Sequence, residues 1–275
     1  MSFGARPVIG FLTDFGLDGA AATCKAVILS ICPDAQIVDI CHTIRKFAVA
    51  DGAYVLGTAL PWFGVGVHLA VVDPGVGTER RAIGIRAKRG DLLIGPDNGL
   101  LAPAADALGG VVEARELANR ELWLPTTSAT FHGRDVFAPV AARLACGAAT
   151  FGEVGPLLDA AAIVRPANPG TKVEDGAIRT RVAYVDSFGN ARLVGGQEEL
   201  QTAFGPAADG AALSLDLPGG ATLAATIAPS FGAVAAGAAL LYIDSAGNLA
   251  LAENQGDLAR RVGLEPGMPI TVTRG

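Results

Sequence analysis

The feature that most limits the fold of this chain is an alternation of short apolar runs with helical stretches over its first half. Pro7–Leu12 is a continuous apolar run that ends in a polar turn, which is typical of a buried strand. The next stretch, Gly19–Ile31, repeats apolar residues three and four positions apart and predicts a helix. This order predicts an N-terminal α/β sandwich, with a mostly parallel sheet covered by helices on both faces.

The other elements predicted for this half continue the same order. The predicted strands are Ile37–Ile40, Val67–Val72, Ala82–Arg86 and Leu92–Ile94. The predicted helices are Val49–Leu60, Leu100–Leu108 and Val136–Leu144.

The pattern changes after residue 165, where Arg165–Thr171 reads as a linker rich in Pro and Gly. Short strand-like runs separated by turn residues then predict a small antiparallel β domain, a barrel. We therefore expect two domains, residues 1–167 and 168–275. The predicted strands of the second are Ile178–Val185, Ala191–Val194, Ala211–Leu215, Ala221–Ile227, Ala239–Ile243, Leu249–Ala252 and Ile270–Thr273.

Composition excludes several classes of protein. With 51% hydrophobic and 17% charged residues the chain is neither disordered nor a coiled coil. Its longest nearly uninterrupted apolar run, Phe231–Ile243, is well short of the ~20 residues that span a bilayer, so no membrane association is expected. A net charge of −6, with no basic cluster beyond the short patch Arg86–Arg89, argues against nucleic acid as a partner. The N-terminus lacks the pattern of a signal peptide, and a cytoplasmic protein is expected.

Three polar clusters stand where an α/β sheet binds ligands, beyond strand ends or before a helix. Asp14 follows the first strand, either as an acceptor for ribose hydroxyls or as a turn or helix cap. Asp73 follows the third strand and leads through a Pro-Gly turn to Arg80 and Arg81; it is a candidate base, or a plain turn residue. His132 lies in a Gly-containing loop before a helix and is either catalytic or structural.

Several other chemistries lack their sequence signals. The three histidines have no H-x-x-x-H or H-E-x-x-H spacing and no C-x-x-C pair accompanies them, so no metal site is predicted. A G-x-S-x-G nucleophile elbow, a P-loop and a G-x-G-x-x-G fingerprint are also absent.

Taken together, the motifs resemble the S-adenosyl-L-methionine (SAM) hydrolases, also called SAM hydroxide adenosyltransferases, whose relatives are the SAM-dependent fluorinase and chlorinase. The likeness covers nearly the whole chain, with the motifs in the same order. The matching segments are Phe11–Gly16, Ile31–Asp34, Val38–His42, Val72–Thr78, Gly95–Leu101, Thr130–Asp135, Val185–Asn190 and Ala252–Gly256.

The resemblance implies hydrolysis of SAM to adenosine and L-methionine by water attack on ribose C5′, with no cofactor. Asp73, Arg80 and His132 match the hydrolases' triad around a water. The halogenases have an aromatic residue in place of Asp73, and the fluorinase has Tyr-Ser in place of His132 and Gly133. A SAM-dependent halogenase is therefore the weaker alternative, as is a non-catalytic protein that binds SAM or a nucleoside.

The resemblance also implies a homotrimer, with SAM bound between the N-terminal domain of one subunit and the C-terminal domain of its neighbour. Asp14 matches the residue that holds the ribose hydroxyls, and Phe47 falls where the fluorinase packs a Trp on the ribose. The implied contacts to adenine and methionine come from the second domain. They are Asp186, Phe188, Asn190, Phe231, Ser245, Glu253 and Asn254.

Overall fold

The computed structural model describes residues 6–167, 170–206 and 209–275. The chain divides into two compact units, Met1–Ala167 and Asn168–Gly275. Two residues of the predicted linker, 168 and 169, lie outside the described part. So do the first five residues of the chain, for which the sequence predicts no signal peptide.

The first unit contains a seven-stranded sheet. Its strands are β1 (Val8–Thr13), β2 (Gln36–Cys41), β3 (Val67–Val71), β4 (Ala82–Ala87), β5 (Leu92–Pro96), β6 (Val111–Glu116) and β7 (Leu157–Leu158), and its helices are α1 (Ala20–Ile31), α2 (Val49–Ala59), α3 (Ala102–Ala107) and α4 (Ala138–Ala145). The strand order is β2-β1-β3-β5-β4-β6-β7. The first four strands in that order are parallel, and the other three pairings are antiparallel.

The helices cover both faces of this sheet, which confirms the predicted architecture. Alternate residues of β1 face opposite sides, so Phe11 belongs to the core with α1 and α4, whereas Leu12 belongs to the core with α2 and α3. α1 is held to its face by Ala21, Cys24 and Ile28, which are buried at helical spacing.

The second unit is a seven-stranded barrel closed by the pairing of its first and last members, with one further edge strand. Its strands are β8 (Lys172–Glu174), β9 (Ala177–Val185), β10 (Ala191–Gly196), β11 (Ala212–Asp216), β12 (Thr222–Ile227), β13 (Ala239–Ile243), β14 (Asn248–Glu253) and β15 (Pro269–Arg274), and its helices are α5 (Gln197–Phe204) and α6 (Leu258–Val262). The order β10-β14-β13-β12-β11-β15-β9 closes through β9 and β10, and β8 extends the sheet beyond β9.

The barrel prediction is confirmed, but its strands are not all antiparallel. β12 and β13 run parallel, with Thr226 opposite Leu240. The 11 residues between them include the short 3₁₀ turn Phe231–Ala233, and this connection lets the chain re-enter the barrel in the same direction. Among the described residues, no helix is long and apolar enough to cross a membrane.

The strand ends of the first sheet determine which loops meet. Thr13, the last residue of β1, is level with Val71, the last residue of β3. The chain continues from these two positions into Asp14 and, two residues after β3, Asp73. The two carboxylates therefore leave neighbouring parallel strands at one edge of the sheet.

A buried contact between a histidine and a carboxylate stabilises the opposite end of β3. His68 and Asp91 are fully buried, and His68 Nε2 lies 3.0 Å from Asp91 Oδ1. Arg89 donates to the same carboxylate from Nε (2.7 Å) and Nη2 (2.9 Å). Burial alone would raise the pKa of Asp91, but the hydrogen bonds from Arg89 and His68 outweigh it and hold this pKa far below its ordinary value.

We predict that Asp91→Asn lowers the free energy of unfolding by about 3 kcal/mol, since it leaves Arg89 without its counter-charge in a buried cluster. Asp106→Asn, which breaks an exposed pair with Arg165, is the control and should cost less than about 1 kcal/mol. Urea unfolding measures both. Asp91 stabilises the fold while it is ionised, so the Asp91→Asn deficit should shrink as the pH falls below the unfolded pKa of about 4. Equal effects of the two variants would contradict the assignment.

Candidate active site

Arg80 joins Asp73 to His132. The loop after β3 turns back at Asp73–Thr78, where the amide of Val76 donates to the carbonyl of Asp73 (3.3 Å). Arg80 Nε then donates to both carboxylate oxygens of Asp73 (3.0 Å each), and Arg80 Nη2 donates to Oδ2 (2.5 Å). The same Nη2 lies 2.9 Å from His132 Nδ1. The Arg80 and Asp73 side chains are only 10% and 5% exposed, which strengthens the pair.

The guanidinium is fixed from two further sides. Its Cζ lies 5.1 Å from the ring centroid of Phe137. Gly77, with φ of 78°, brings the turn against the segment that precedes His132, because a Cβ there would lie 2.6 Å from the carbonyl oxygen of Ala129. A side chain at this position would separate the Arg80 turn from the His132 loop.

His132 precedes a short π-helical turn, Gly133–Phe137, that leads directly into α4. The fully buried Asp135 organises this segment by accepting from the amide of Ser128 (2.7 Å) and from Arg134 Nε (2.6 Å). The backbone at Gly133 lies close to the Phe15 ring, since a Cβ there would be 2.9 Å from that ring.

The surroundings of His132 favour its neutral form. Burial of the ring and, second, the Arg80 charge lower the pKa of His132, while Asp73 and Asp135 oppose the shift. Arginine has no lone pair to offer, so in the Arg80 contact His132 Nδ1 is the acceptor. The proton of the neutral ring is therefore on Nε2, which becomes a donor.

A cavity of about 230 Å³ lies beside Asp73 and His132. Asp14 and Phe47, both singled out from sequence, also line it. Asp14 Oδ2 accepts from the amide of Phe47 (2.9 Å). Phe47 has a φ of 66°, which is rare for a residue with a side chain, and the residue is 69% exposed. The remaining lining residues are Phe15, Lys46, Val71, Val76, Thr130, Phe131 and Gly133.

The barrel unit has its own open cavity, of about 780 Å³. Six of the residues predicted to bind substrate line it: Asp186, Phe188, Asn190, Phe231, Glu253 and Asn254. Phe188 is 75% exposed, and the Phe231 ring packs 5.2 Å from that of Tyr242. The other lining residues are Arg192, Gln255, Gly256 and Asp257.

Asp186 mainly holds its own loop. Its carboxylate accepts from the amides of Phe188 and Asn190, from Asn190 Nδ2 (2.9 Å each) and from Arg192 Nη2 (3.2 Å). Most of its acceptor capacity is thus used within the loop that presents Phe188 and Asn190. Its direct contact with a ligand stays a prediction.

Ser245 is exposed on the turn between β13 and β14 and does not line the barrel cavity. That turn is held by Asp244 Oδ1, which accepts from the amides of Ala246 and Asn248 (2.9 Å each). Within the described unit, therefore, the structure does not bring Ser245 together with the other predicted binding residues.

Sequence reasoning missed Lys46 in the first cavity and Arg192 in the second. Arg192 donates from Nη1 to the Tyr242 hydroxyl (2.5 Å) and lies near Asp244 as well as Asp186. Arg192 belongs to no sequence motif, and only its place in the folded barrel identifies it. The described part of the chain contains no group of three or more His, Cys, Asp or Glu residues that could hold a metal ion.

Comparison with known proteins identifies two family domains in this chain. Residues 9–155 match the SAM hydroxide adenosyltransferase N-terminal domain, and residues 180–271 match the SAM hydroxide adenosyltransferase C-terminal domain. The chain is 44% identical over 273 residues to an (R)-S-adenosyl-L-methionine hydrolase of Salinispora tropica, covering 98% of each chain. It is 31% identical to a fluorinase of an Actinoplanes species over the full length of both. A crystal structure of an uncharacterized conserved protein from Thermotoga maritima superposes with a TM-score of 0.89 and 37% identity, covering 97% of this chain and 100% of that one.

The contact between Arg80 and His132 can be tested by titration. We predict that Arg80→Gln raises the pKa of His132, because it removes the positive charge and leaves Asp73 to favour the imidazolium. Arg81→Gln is the matched control, since Arg81 pairs with Asp97 and not with Asp73. NMR titration of the three histidine rings, assigned with His132→Asn, measures the shift. A His132 pKa that stays the same or falls in Arg80→Gln would contradict the geometry.

Proposed function

This chain belongs to the SAM hydroxide adenosyltransferase family, and on that premise we propose that it hydrolyses SAM to adenosine and L-methionine at the Asp73, Arg80 and His132 site. The observation that supports this most strongly is the Arg80 guanidinium, which holds a carboxylate and a neutral imidazole side by side at a cavity. Such a pair can bind one water by an acceptor and a donor at once.

The reaction needs positioning more than activation of the leaving group. The sulfonium of SAM leaves readily, and ribose C5′ is an unhindered primary carbon. The water oxygen forms a bond to C5′ while the C5′–S bond breaks and its electron pair stays on sulfur. A water ~3 Å from C5′ and opposite the sulfur is in attacking position. This chemistry requires no metal and no redox cofactor, and the absence of a cofactor stays a prediction.

We propose that Asp73 accepts the proton that the attacking water loses. Arg80 makes three hydrogen bonds to this carboxylate, which offers about four acceptor sites, so one site is left for the water. His132 cannot accept while Arg80 donates to Nδ1, and its Nε2–H instead donates to the water oxygen and aligns a lone pair. Arg80 stabilises the negative charge that develops as the water loses its proton.

Residues that we propose for binding fall into two groups. In the first cavity Asp14 would accept from the ribose hydroxyls and Phe47 would pack on the sugar. In the barrel cavity the exposed Phe188 and Phe231 rings would contact the flat adenine, with Asn190 and the polar groups around it facing the methionine. Ser245, Glu253 and Asn254 remain predicted contacts.

We propose that the two cavities combine between subunits of a homotrimer. A cavity of about 230 Å³ is smaller than the ~300–1,000 Å³ of ordinary ligand sites. Each cavity also exposes a large aromatic ring, Phe47 in one and Phe188 in the other, as surfaces do where a partner or ligand covers them.

A cytoplasmic location for this protein stays a prediction.

We predict that Asp73→Asn and His132→Ala each lower the turnover number about 10²–10⁴-fold, with KM for SAM changed only a few-fold, because both act on the attacking water. Adenosine release, followed by chromatography, measures this. Asp106→Asn, on the surface pair with Arg165, is the control and should be as active as the wild type. Wild-type protein that releases no adenosine from SAM, or forms 5′-chloro-5′-deoxyadenosine when chloride is added, would refute the proposed function.

Mixed oligomers test the shared site. We predict that Asp73→Asn and Phe231→Ala proteins, each weakly active, regain activity when unfolded and refolded together. In a random 1:1 mixture about a quarter of the sites would pair an intact first cavity with an intact barrel cavity from a neighbour. Refolding each variant alone is the control. A mixture no more active than the mean of the two would contradict a site shared between subunits.

A further inference from the structure

His42 contacts the turn that carries Asp14 from both sides. The turn runs from Thr13, at the end of β1, to Gly16. On one side of Asp14, Thr13 Oγ1 lies 2.9 Å from His42 Nδ1. On the other side, the amide of Gly16 donates to the main-chain carbonyl of His42 (2.7 Å). His42 itself does not line the cavity, so it acts on Asp14 through these neighbours.

The direction of the Thr13 contact follows from the groups around it. The amide of Phe15 donates to Thr13 Oγ1 (3.2 Å), so the hydroxyl oxygen already serves as an acceptor there. Thr13 is fully buried, and its own O–H needs an acceptor. His42 Nδ1 provides it, which gives a chain of hydrogen bonds from Phe15 through Thr13 to His42.

The His42 ring is held in the orientation that this chain requires. Phe11 packs against it edge-on, with ring centroids 4.7 Å apart and planes at 72°. His42 Nε2 lies 3.2 Å from Asp39 Oδ1, near enough for attraction but outside hydrogen-bond alignment. Asp39 is itself fixed by Lys25 Nζ at 2.6 Å.

Asp14 needs such support because little else holds its own side chain. Its Oδ2 accepts from the amide of Phe47, a residue whose backbone is in the left-handed region. Within the described residues, Oδ1 accepts no hydrogen bond and remains available to a ligand. A carboxylate that is to meet two adjacent hydroxyls must be placed within about 0.5 Å, which requires a rigid turn beneath it.

We propose that His42 is a positioning residue for ribose recognition, acting through the Thr13 hydroxyl and the Gly16 amide on Asp14. The inference rests on the proposed function, since it takes the ribose hydroxyls as the ligand of Asp14. It assigns a role in substrate affinity, separate from the attack of water, to a histidine outside the group formed by Asp73, Arg80 and His132.

Two substitutions of His42 separate the loss of its contact with the Thr13 hydroxyl from a general disturbance of the fold. The amide oxygen of Asn falls where Nδ1 of His stands, whereas the amide of Gln reaches the position of Nε2. His42→Asn should therefore keep an acceptor for Thr13, and His42→Gln should lose it. We expect His42→Gln to raise KM for SAM about tenfold with the turnover number within twofold of wild type, and His42→Asn to raise KM less than threefold.

Thr13→Val extends the test, since it removes the hydroxyl without changing the shape of the side chain. It should raise KM about as much as His42→Gln does, and the double variant should be no worse than either single one. Additive effects in the double variant would overturn the proposed contact.

A binding measurement makes the result independent of turnover. Calorimetric titration compares adenosine with 2′,3′-dideoxyadenosine, which lacks the hydroxyls proposed to meet Asp14. We expect His42→Gln to weaken adenosine about tenfold and to leave dideoxyadenosine unchanged. Equal loss for both ligands, or an equal effect of His42→Asn and His42→Gln, would overturn the inference. Wild-type protein that binds adenosine but does not hydrolyse SAM would refute the proposed function alone, whereas failure of the His42 variants to discriminate, in an active enzyme, would refute only the role of His42.

Discussion

The Arg80 guanidinium is the contact on which the account of this site depends. It is bonded to both oxygens of Asp73 and to His132 Nδ1, although the three residues come from two loops 52 positions apart. Because a guanidinium only donates, it fixes the tautomer of His132 and takes up most of the acceptor capacity of Asp73. In the proposed reaction, one planar group thus determines which neighbour accepts the proton of the attacking water and which only donates to it.

The fold makes this contact possible through the register of its parallel strands. Thr13 and Val71 end level with each other, so the Asp14 turn and the Asp73 loop leave the sheet side by side. Gly77 then allows the Arg80 turn to approach the backbone before His132, and Gly133 allows Phe15 to pack against the start of the π turn. The proposed binding and reacting groups therefore come together through close packing of loops, each on a rigid element of the sheet or of α4.

Much of the fold could be predicted from local pattern, and the misses have physical causes. All the strands predicted for both halves are present, because each is an apolar run bounded by turn residues. β6, whose Glu113 and Arg115 interrupt the apolar pattern, was missed, as were α5 and α6, which are too short to show a clear period. The parallel pairing of β12 and β13 could not be foreseen, since it depends on where a connection crosses the barrel rather than on the residues of either strand.

The site was foreseen in part, since a motif identifies residue types but not their contacts. Asp73, Arg80 and His132 could be singled out, but the neutral state of His132 follows only from its distance to Arg80 and its burial. Arg192 and Lys46 carry no motif of their own and enter only through their place in the two cavities. The proposed role of His42 likewise depends on a contact with Thr13, 29 positions away in sequence.

The central claim is that a water bound by Asp73 and His132 attacks ribose C5′ of SAM. Hydrolysis of SAM in water enriched in oxygen-18, followed by mass spectrometry of both products, tests it most directly. The account predicts one labelled oxygen in adenosine, at the 5′ position, unlabelled methionine, and loss of this product in Asp73→Asn. Label in the methionine-derived product, or unlabelled adenosine, would contradict it.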